Sequence, residues 1–157
     1  MALQIDGVEM TNLQIDGAEM DIGQIDGTKV FQKATPYTIT DFSAYDWTFS
    51  QPNGEGQYEH DATNNRVYVS SEKTSGNYAY GRMTADLETK GCNKIRVKYS
   101  VSGGNSGSIM GNAVAKDTSG EWIGNISGSS ISFWIQSQDH GEGKCTITVT
   151  EIYFYYE

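Results

Sequence analysis

The residues of this sequence best suited to chemistry are flat aromatic rings set among polar side chains. Tyr68, Tyr78, Tyr80, Trp122 and Trp134 all have such neighbours. Rings of this kind stack on the apolar faces of sugars, while Arg, Asn and Asp side chains bond the hydroxyls. The same residue types also suit strands and protein–protein interfaces. A glycan site, a protein interface and plain packing therefore all stand as readings of these positions. Trp122, within SGEWIGN, is the first choice for an exposed anchor.

Catalytic chemistry has little to build on. His60 and His140 lie in or beside polar loops, and no nucleophile accompanies either in a recognisable motif. G-x-S-x-G, H-E-x-x-H and phosphate-loop patterns are absent. Acidic pairs abound, but their default role in an acidic chain is solvated surface charge. No catalytic residue and no cofactor is expected. Asp61 with Asn64 and Asn65, or Asp117 with Glu121, present hard oxygen ligands, yet neither stretch follows a calcium-loop pattern, and ordinary turn chemistry accounts for both. No metal is assigned. Cys92 and Cys145 are too few for a disulfide framework, and their redox state is left open.

The elements that must position these groups are strands. Apolar and polar residues alternate over 37–42, 46–50, 57–61, 66–71, 78–87, 94–101, 108–116, 121–126, 130–138 and 144–156. PNGEG, DATNN, KTSGN, SGGNSG, DTSGE and QDHGEG separate these runs and read as turns or loops. Ile95, Val97, Tyr99 and Val101 share one face, with Lys94, Arg96 and Lys98 on the other. That basic stripe reads as a charged solvent face first and a contact for an acidic partner second. Ile131, Phe133 and Ile135 oppose Ser132, Trp134 and Gln136. In the last run Cys145, Ile147 and Val149 share a face, and Ile152, Phe154 and Tyr156 continue it after a slip. The slip predicts a bulge near Thr150 and Glu151. No window keeps a helical period. The fold class is all-β: an antiparallel β-sandwich (jelly roll) over 34–157, preceded by a repeat over 1–33.

The repeat is the most specific signal. Residues 1–30 form three decapeptides, MALQIDGVEM, TNLQIDGAEM and DIGQIDGTKV, each containing QIDG. Asp-Gly between alternating residues favours a two-residue hairpin turn. Leu3, Ile5, Val8 and Met10 then share a face, as do Leu13, Ile15, Ala18 and Met20, and Gly23, Ile25, Thr28 and Val30. Hairpins this short do not hold themselves together in water. The apolar side chains of Leu3, Ile5, Val8, Met10, Leu13, Ile15, Met20, Ile25 and Val30 are therefore read as anchoring or oligomerisation contacts. A meander over the C-terminal domain is the alternative.

Composition narrows the partners. The chain has 157 residues and a formal net charge of -9, which disfavours nucleic acid. No apolar run approaches the ~20 residues of a membrane helix, and no standard secretory signal opens the sequence.

The layout of 37–157, with KIRVKYSVSG answered by the closing GKCTITVTEIYFYYE, resembles the jelly-roll modules of the galactose-binding-like and carbohydrate-binding class. The repeat resembles the short β-repeats of tailed-bacteriophage virion proteins of the fibre, decoration and tail accessory type. These resemblances imply a non-enzymatic virion structural protein, assembled in the host cytoplasm. It would be anchored to capsid or tail proteins through 1–33, and would display a sandwich that binds host-surface glycans. A homo-oligomer is expected, a trimer first and a monomer docked on a lattice second. A free-standing carbohydrate-binding module or surface adhesin is the alternative.

Overall fold

The computed structural model describes residues 3–5, 8–10, 14–15, 18–19, 22–25 and 28–32 by backbone pairing, and 34–157 in full apart from the Asn53 side chain. The chain divides into two compact units, Met1–Thr35 and Pro36–Glu157.

In the first unit each decapeptide forms its own two-stranded antiparallel sheet. β1 (Leu3–Ile5) pairs with β2 (Val8–Met10), placing Ile5 opposite Val8, Gln4 opposite Glu9 and Leu3 opposite Met10. β3 (Gln14–Ile15) pairs with β4 (Ala18–Glu19) in the same register. β5 (Ile22–Ile25) and β6 (Thr28–Gln32) begin likewise, with Ile25 opposite Thr28 and Gln24 opposite Lys29. There the register shifts, and Gly23 faces Phe31 rather than Val30. Glycine inside a strand tolerates such a bulge, so the regular pairing expected of Val30 is corrected. Leu13 and Met20, and the side chains of Leu3, Ile5, Val8, Met10, Ile15, Ile25 and Val30, lie outside the described residues.

The second unit is a β-sandwich made from one continuous nine-stranded sheet. Its strands are β7 (Tyr37–Ile39), β8 (Thr48–Ala62), β9 (Val67–Glu88), β10 (Lys94–Ser102), β11 (Ser106–Ile109), β12 (Asn112–Ala115), β13 (Thr118–Asn125), β14 (Ser130–Asp139) and β15 (Cys145–Tyr155). A single 3-10 turn, Phe42–Ala44, follows β7, so the strand expected over 37–42 stops early. Asp41 accepts the Ser43 N–H there and closes the turn.

Two long strands make the sheet double. Residues 79–88 of β9 pair with β14, whereas residues 67–71 pair with β15. β8 accompanies β9 along both halves. One face of the sandwich therefore runs β12-β11-β14-β9-β8 and the other β13-β10-β15-β9-β8, with β7 added along the distal part of β15. The sequence suggests turns at PNGEG and KTSGN, but both segments lie inside strands. The register shifts between Ser50 and Asn53 and on both sides of Glu55, so the pair bends by bulging instead of turning. The same glycines and small polar residues serve either device, which is why composition pointed to loops.

The two faces meet over an apolar interior. Phe133, Ile135, Leu87 and Ile109 are buried on one side, and Val67, Val69, Ile95, Val97, Ile147, Val149, Ile152 and Phe154 on the other. The faces come close at Gly107, where a Cβ would press on Ile147, Val101 and Val114. Trp47 packs edge-on to Phe133 at 6.2 Å. Tyr37 stacks on Phe154 at 4.8 Å and 4°, an arrangement contributing about 0.5–1.5 kcal/mol beyond burial. The bulge expected near Thr150 is present: Lys98 faces Glu151 and Tyr99 faces Val149, leaving Thr150 unmatched. Tyr156, expected inward, lies beyond β15 and is 64% exposed.

Gly54 sits at the bend with φ +85, and a Cβ there would collide with the Tyr78 carbonyl. Gly76 has φ +68 but open space around it. Gly54→Ala is expected to lower stability by about 2–4 kcal/mol, and Gly76→Ala by about 1–2 kcal/mol, from backbone strain alone. Thermal melts of the two variants check this, and equal losses would refute the steric role of Gly54.

Candidate functional site

The outer face of the β11-β14-β9 sheet gathers Tyr78, Tyr80 and Trp134, three of the five aromatics singled out above. Ala79, Gly81, Met83, Ala85 and Leu87 of β9 point into the core, which sends Tyr80, Arg82 and Thr84 outward. β14 aligns Gln138 with Tyr80, Gln136 with Arg82 and Trp134 with Thr84. β11 adds Ser106 opposite Gln138 and Ser108 opposite Gln136.

Three rings form one group on this face. Tyr78 stacks on Tyr80 with centroids 4.8 Å apart and 23° between planes. His140 lies 5.6 Å from Tyr80 and 6.0 Å from Tyr78. Its Nε2 is 3.0 Å from the Tyr80 hydroxyl, so the two share a hydrogen bond. Beside this group the Arg82 guanidinium lies 4.1 Å from the centre of the Trp134 ring. Its Nε and Nη2 both donate to Oε1 of Gln136, at 3.1 and 2.8 Å. Ser106 donates to Oε1 of Gln138 at 3.1 Å.

Asp139 holds His140 in place. This carboxylate is only 1% exposed. Its Oδ2 accepts the Lys73 N–H at 2.7 Å, and its Oδ1 accepts the Gly141 and Glu142 N–H groups at 2.8 and 2.9 Å. Burial alone would raise its pKa, but the backbone donors of Lys73, Gly141, Glu142 and Gly143 outweigh burial and bring it below the ordinary value. One side chain thus fixes both the loop that carries His140 and the bend in β9 that precedes Tyr78.

The other aromatics are placed elsewhere. Tyr68 is on the outer face of the opposite sheet, facing Thr148, with the Arg66 guanidinium 5.0 Å from its ring. Trp122 is on the edge strand β13 opposite Val97, in the inward phase, and its indole folds over Gly124. It is half-buried in a shallow cleft with Met110 and Ile126, and its neighbour Ile123 is the exposed one at 57%. Trp122 is thus partly rather than fully exposed, because its register opposite the inward Val97 turns the ring toward Gly124. Trp134 stays on the candidate face but is capped by Arg82 rather than open.

The remaining chemistry is structural. Lys94 pairs with Glu157 at 3.2 Å, Arg96 lies 3.8 Å from both Glu121 and Glu151, and Lys98 pairs with Glu151 at 3.0 Å. The basic stripe is thus met by carboxylates of its own unit. Asp117 accepts the Gly103 N–H at 3.0 Å, and Asp61 accepts the Ala62 N–H at 2.9 Å, both as turn chemistry. Among the described residues no three of His, Cys, Asp and Glu cluster as a metal site would require. Cys92 and Cys145 are buried and not joined to each other. They stand near opposite ends of β15, roughly 30 Å apart, because Asn93 bonds the Tyr155 carbonyl while Cys145 opens that strand. Burial pushes both thiols above their usual pKa.

Arg82 and Gln138 escaped the sequence reading, and Gln136 was placed on the Trp134 face without a role, although alternation from Tyr78 and Trp134 puts all three on one face. Tyr80 and His140 are brought together only by the Asp139 turn, which no spacing announces.

No protein-family model matches the chain, and no curated protein matches it. Among solved structures, a mutant of a carbohydrate binding module of family 29 aligns with 78% of this chain and 92% of its own, at 13% identity and a TM-score of 0.39. A mutant of a family 29 module named CBM29-2 aligns with 76% of this chain and 91% of its own, at 14% identity and a TM-score of 0.38.

Replacing Asp139 by alanine strands several backbone donors and is expected to cost about 2–4 kcal/mol. The native carboxylate has a lower pKa folded than unfolded. Its stabilising contribution is complete above the ordinary value of 3.8 and is lost as pH falls through the folded value. Asp139→Asn is expected to lower stability at pH 7 and to flatten its decline below about pH 4. Chemical denaturation at pH 7 and pH 3 tests this; an unchanged acid slope would refute the role given to Asp139.

Proposed function

We propose that the 36–157 unit is a non-catalytic carbohydrate-binding module that grips its ligand on the β11-β14-β9 face. The stacked Tyr78, Tyr80 and His140 group beside Arg82, Gln136 and Gln138 carries this reading. Ring edges and exposed aromatic surface take the C–H face of a sugar, and amides and the guanidinium take its hydroxyls. The groups sit on paired strands and are braced by Asp139 and Trp134, so little order has to be gained on binding.

The Nε2 of His140 meets a tyrosine hydroxyl, and the Asp139 oxygens are occupied by backbone donors. That favours binding over turnover. The reading as a virion structural protein rests on the resemblance of the 1–33 repeat, and the aromatic face favours the free-standing module over it. In either setting, residues 1–33 would serve as the attachment segment, since each hairpin is too small to stand alone. Multiple copies brought together by that segment would raise avidity for a repeating polysaccharide.

Affinity electrophoresis of the full chain through gels containing a panel of neutral and acidic polysaccharides tests the proposal. At least one polymer is expected to retard the protein. Tyr80→Ala and Tyr78→Ala are each expected to weaken that binding about tenfold, equivalent to ~1.4 kcal/mol. Trp122→Ala is expected to leave it unchanged. Retardation by no polymer, or full binding by both tyrosine variants, would overturn the assignment.

A further inference from the structure

We infer that the saccharide recognised on this face carries a carboxylate, and that Arg82 is the residue that reads it. The inference rests on the carbohydrate-binding reading and adds the chemical class of the ligand.

The argument starts from charge. The formal net charge is -9, so carboxylates are plentiful. Lys94, Arg96, Lys98, Lys116 and Lys144 each lie within ion-pair distance of one. Among the described residues Arg82 has no carboxylate at that distance. Arg66, Lys73 and Lys90 share this condition, but Arg66 and Lys90 each lie over one tyrosine ring with no side-chain acceptor orienting them, and the Lys73 ammonium lies beside Gly141 with no side-chain acceptor either.

Arg82 is instead built into place. Gln136, only 6% exposed, takes Nε and Nη2 on a single oxygen, and Trp134 lies against the guanidinium plane. A neutral amide orients the guanidinium without neutralising it. Trp134 stabilises the cation through its ring and leaves the charge intact. A guanidinium has five N–H donors, so the Nη1 edge and the second Nη2 hydrogen remain for a ligand. Two parallel N–H groups match the two oxygens of a carboxylate, a geometry that lysine does not offer.

Position completes the case. Tyr80 and Arg82 are two residues apart on one strand and face, about 7 Å. A sugar ring resting on the Tyr78 and Tyr80 group therefore reaches Arg82 with a substituent at its rim. Gln138 lies across from Tyr80 and Gln136 across from Arg82, so neutral amides and no carboxylate line the cross-strand path between them. A neutral sugar would leave this oriented cation without its counter-charge, whereas a uronate supplies it.

The test compares polymers that differ only in charge. Binding of the full chain is measured by calorimetry on oligomers of galacturonate, glucuronate-containing polymers and alginate. Each is set against the same material with its carboxyl groups esterified or reduced, and against neutral glucan and mannan. At least one acidic polymer is expected to bind about tenfold or more tightly than its uncharged form, with the advantage shrinking as salt rises. Arg82→Gln is expected to abolish that advantage, and Arg82→Lys to keep only part of it; thermal melts establish that both variants are folded. Equal or better binding of neutral polymers, with Tyr80→Ala still impaired, would overturn the acidic ligand while leaving a carbohydrate-binding module. Preference for the acid that survives Arg82→Gln would overturn the role of Arg82. Binding of no polymer at all would overturn both readings.

Discussion

Where β9 passes from one face of the sandwich to the other, its ladder with β8 is interrupted, and backbone donors there need other acceptors. Asp139 supplies them. Its two oxygens take N–H groups from Lys73 at the bend and from Gly141 and Glu142 in the loop after β14. A buried carboxylate is costly unless its bonding capacity is filled, and here backbone amides fill it without any cation. The crossing of β9, the turn carrying His140 and the seat of Tyr78 therefore hang on one side chain.

The opposite outer face shows how the same ingredients make something different. It too carries aromatics and cations: Tyr153 stacks on Tyr155 at 5.4 Å, and Arg96 lies 5.0 Å from the Tyr153 ring. Yet Glu121, Glu151 and Glu157 meet the basic groups of β10, Lys94, Arg96 and Lys98. Such exposed pairs contribute little to stability, but they leave a surface with its local charge balanced. On the Arg82 face the orienting partners are an amide and an indole, and the charge stays available. The contrast lies in the partners rather than in the composition.

Much of the framework was legible in the sequence. Strict alternation identified the inward residues of β10 and β14, and the slip in phase after Val149 located the bulge at Thr150. The Asp-Gly positions fixed the registers of the first two hairpins. Long strands that change face were not legible, because glycine, asparagine and serine mark a bulge as readily as a turn. The degree of exposure of Trp122 was not legible either, since it depends on a register that sets the residue opposite Val97 and lays its ring over Gly124. On the candidate face the tyrosines were visible as residue types. Their partnership with His140 was not, since it depends on Asp139 meeting Lys73 across 66 positions of sequence.

Because β8 and β9 belong to both faces, the sandwich is mechanically a folded strip and not a pair of stacked plates. Two separate sheets slide past each other at the expense of side-chain packing alone. Here any such shear must stretch or twist covalent backbone that runs through both layers. A pull applied at Tyr80 would accordingly travel along β9 into the far layer, and the load would be shared by the ladders of both.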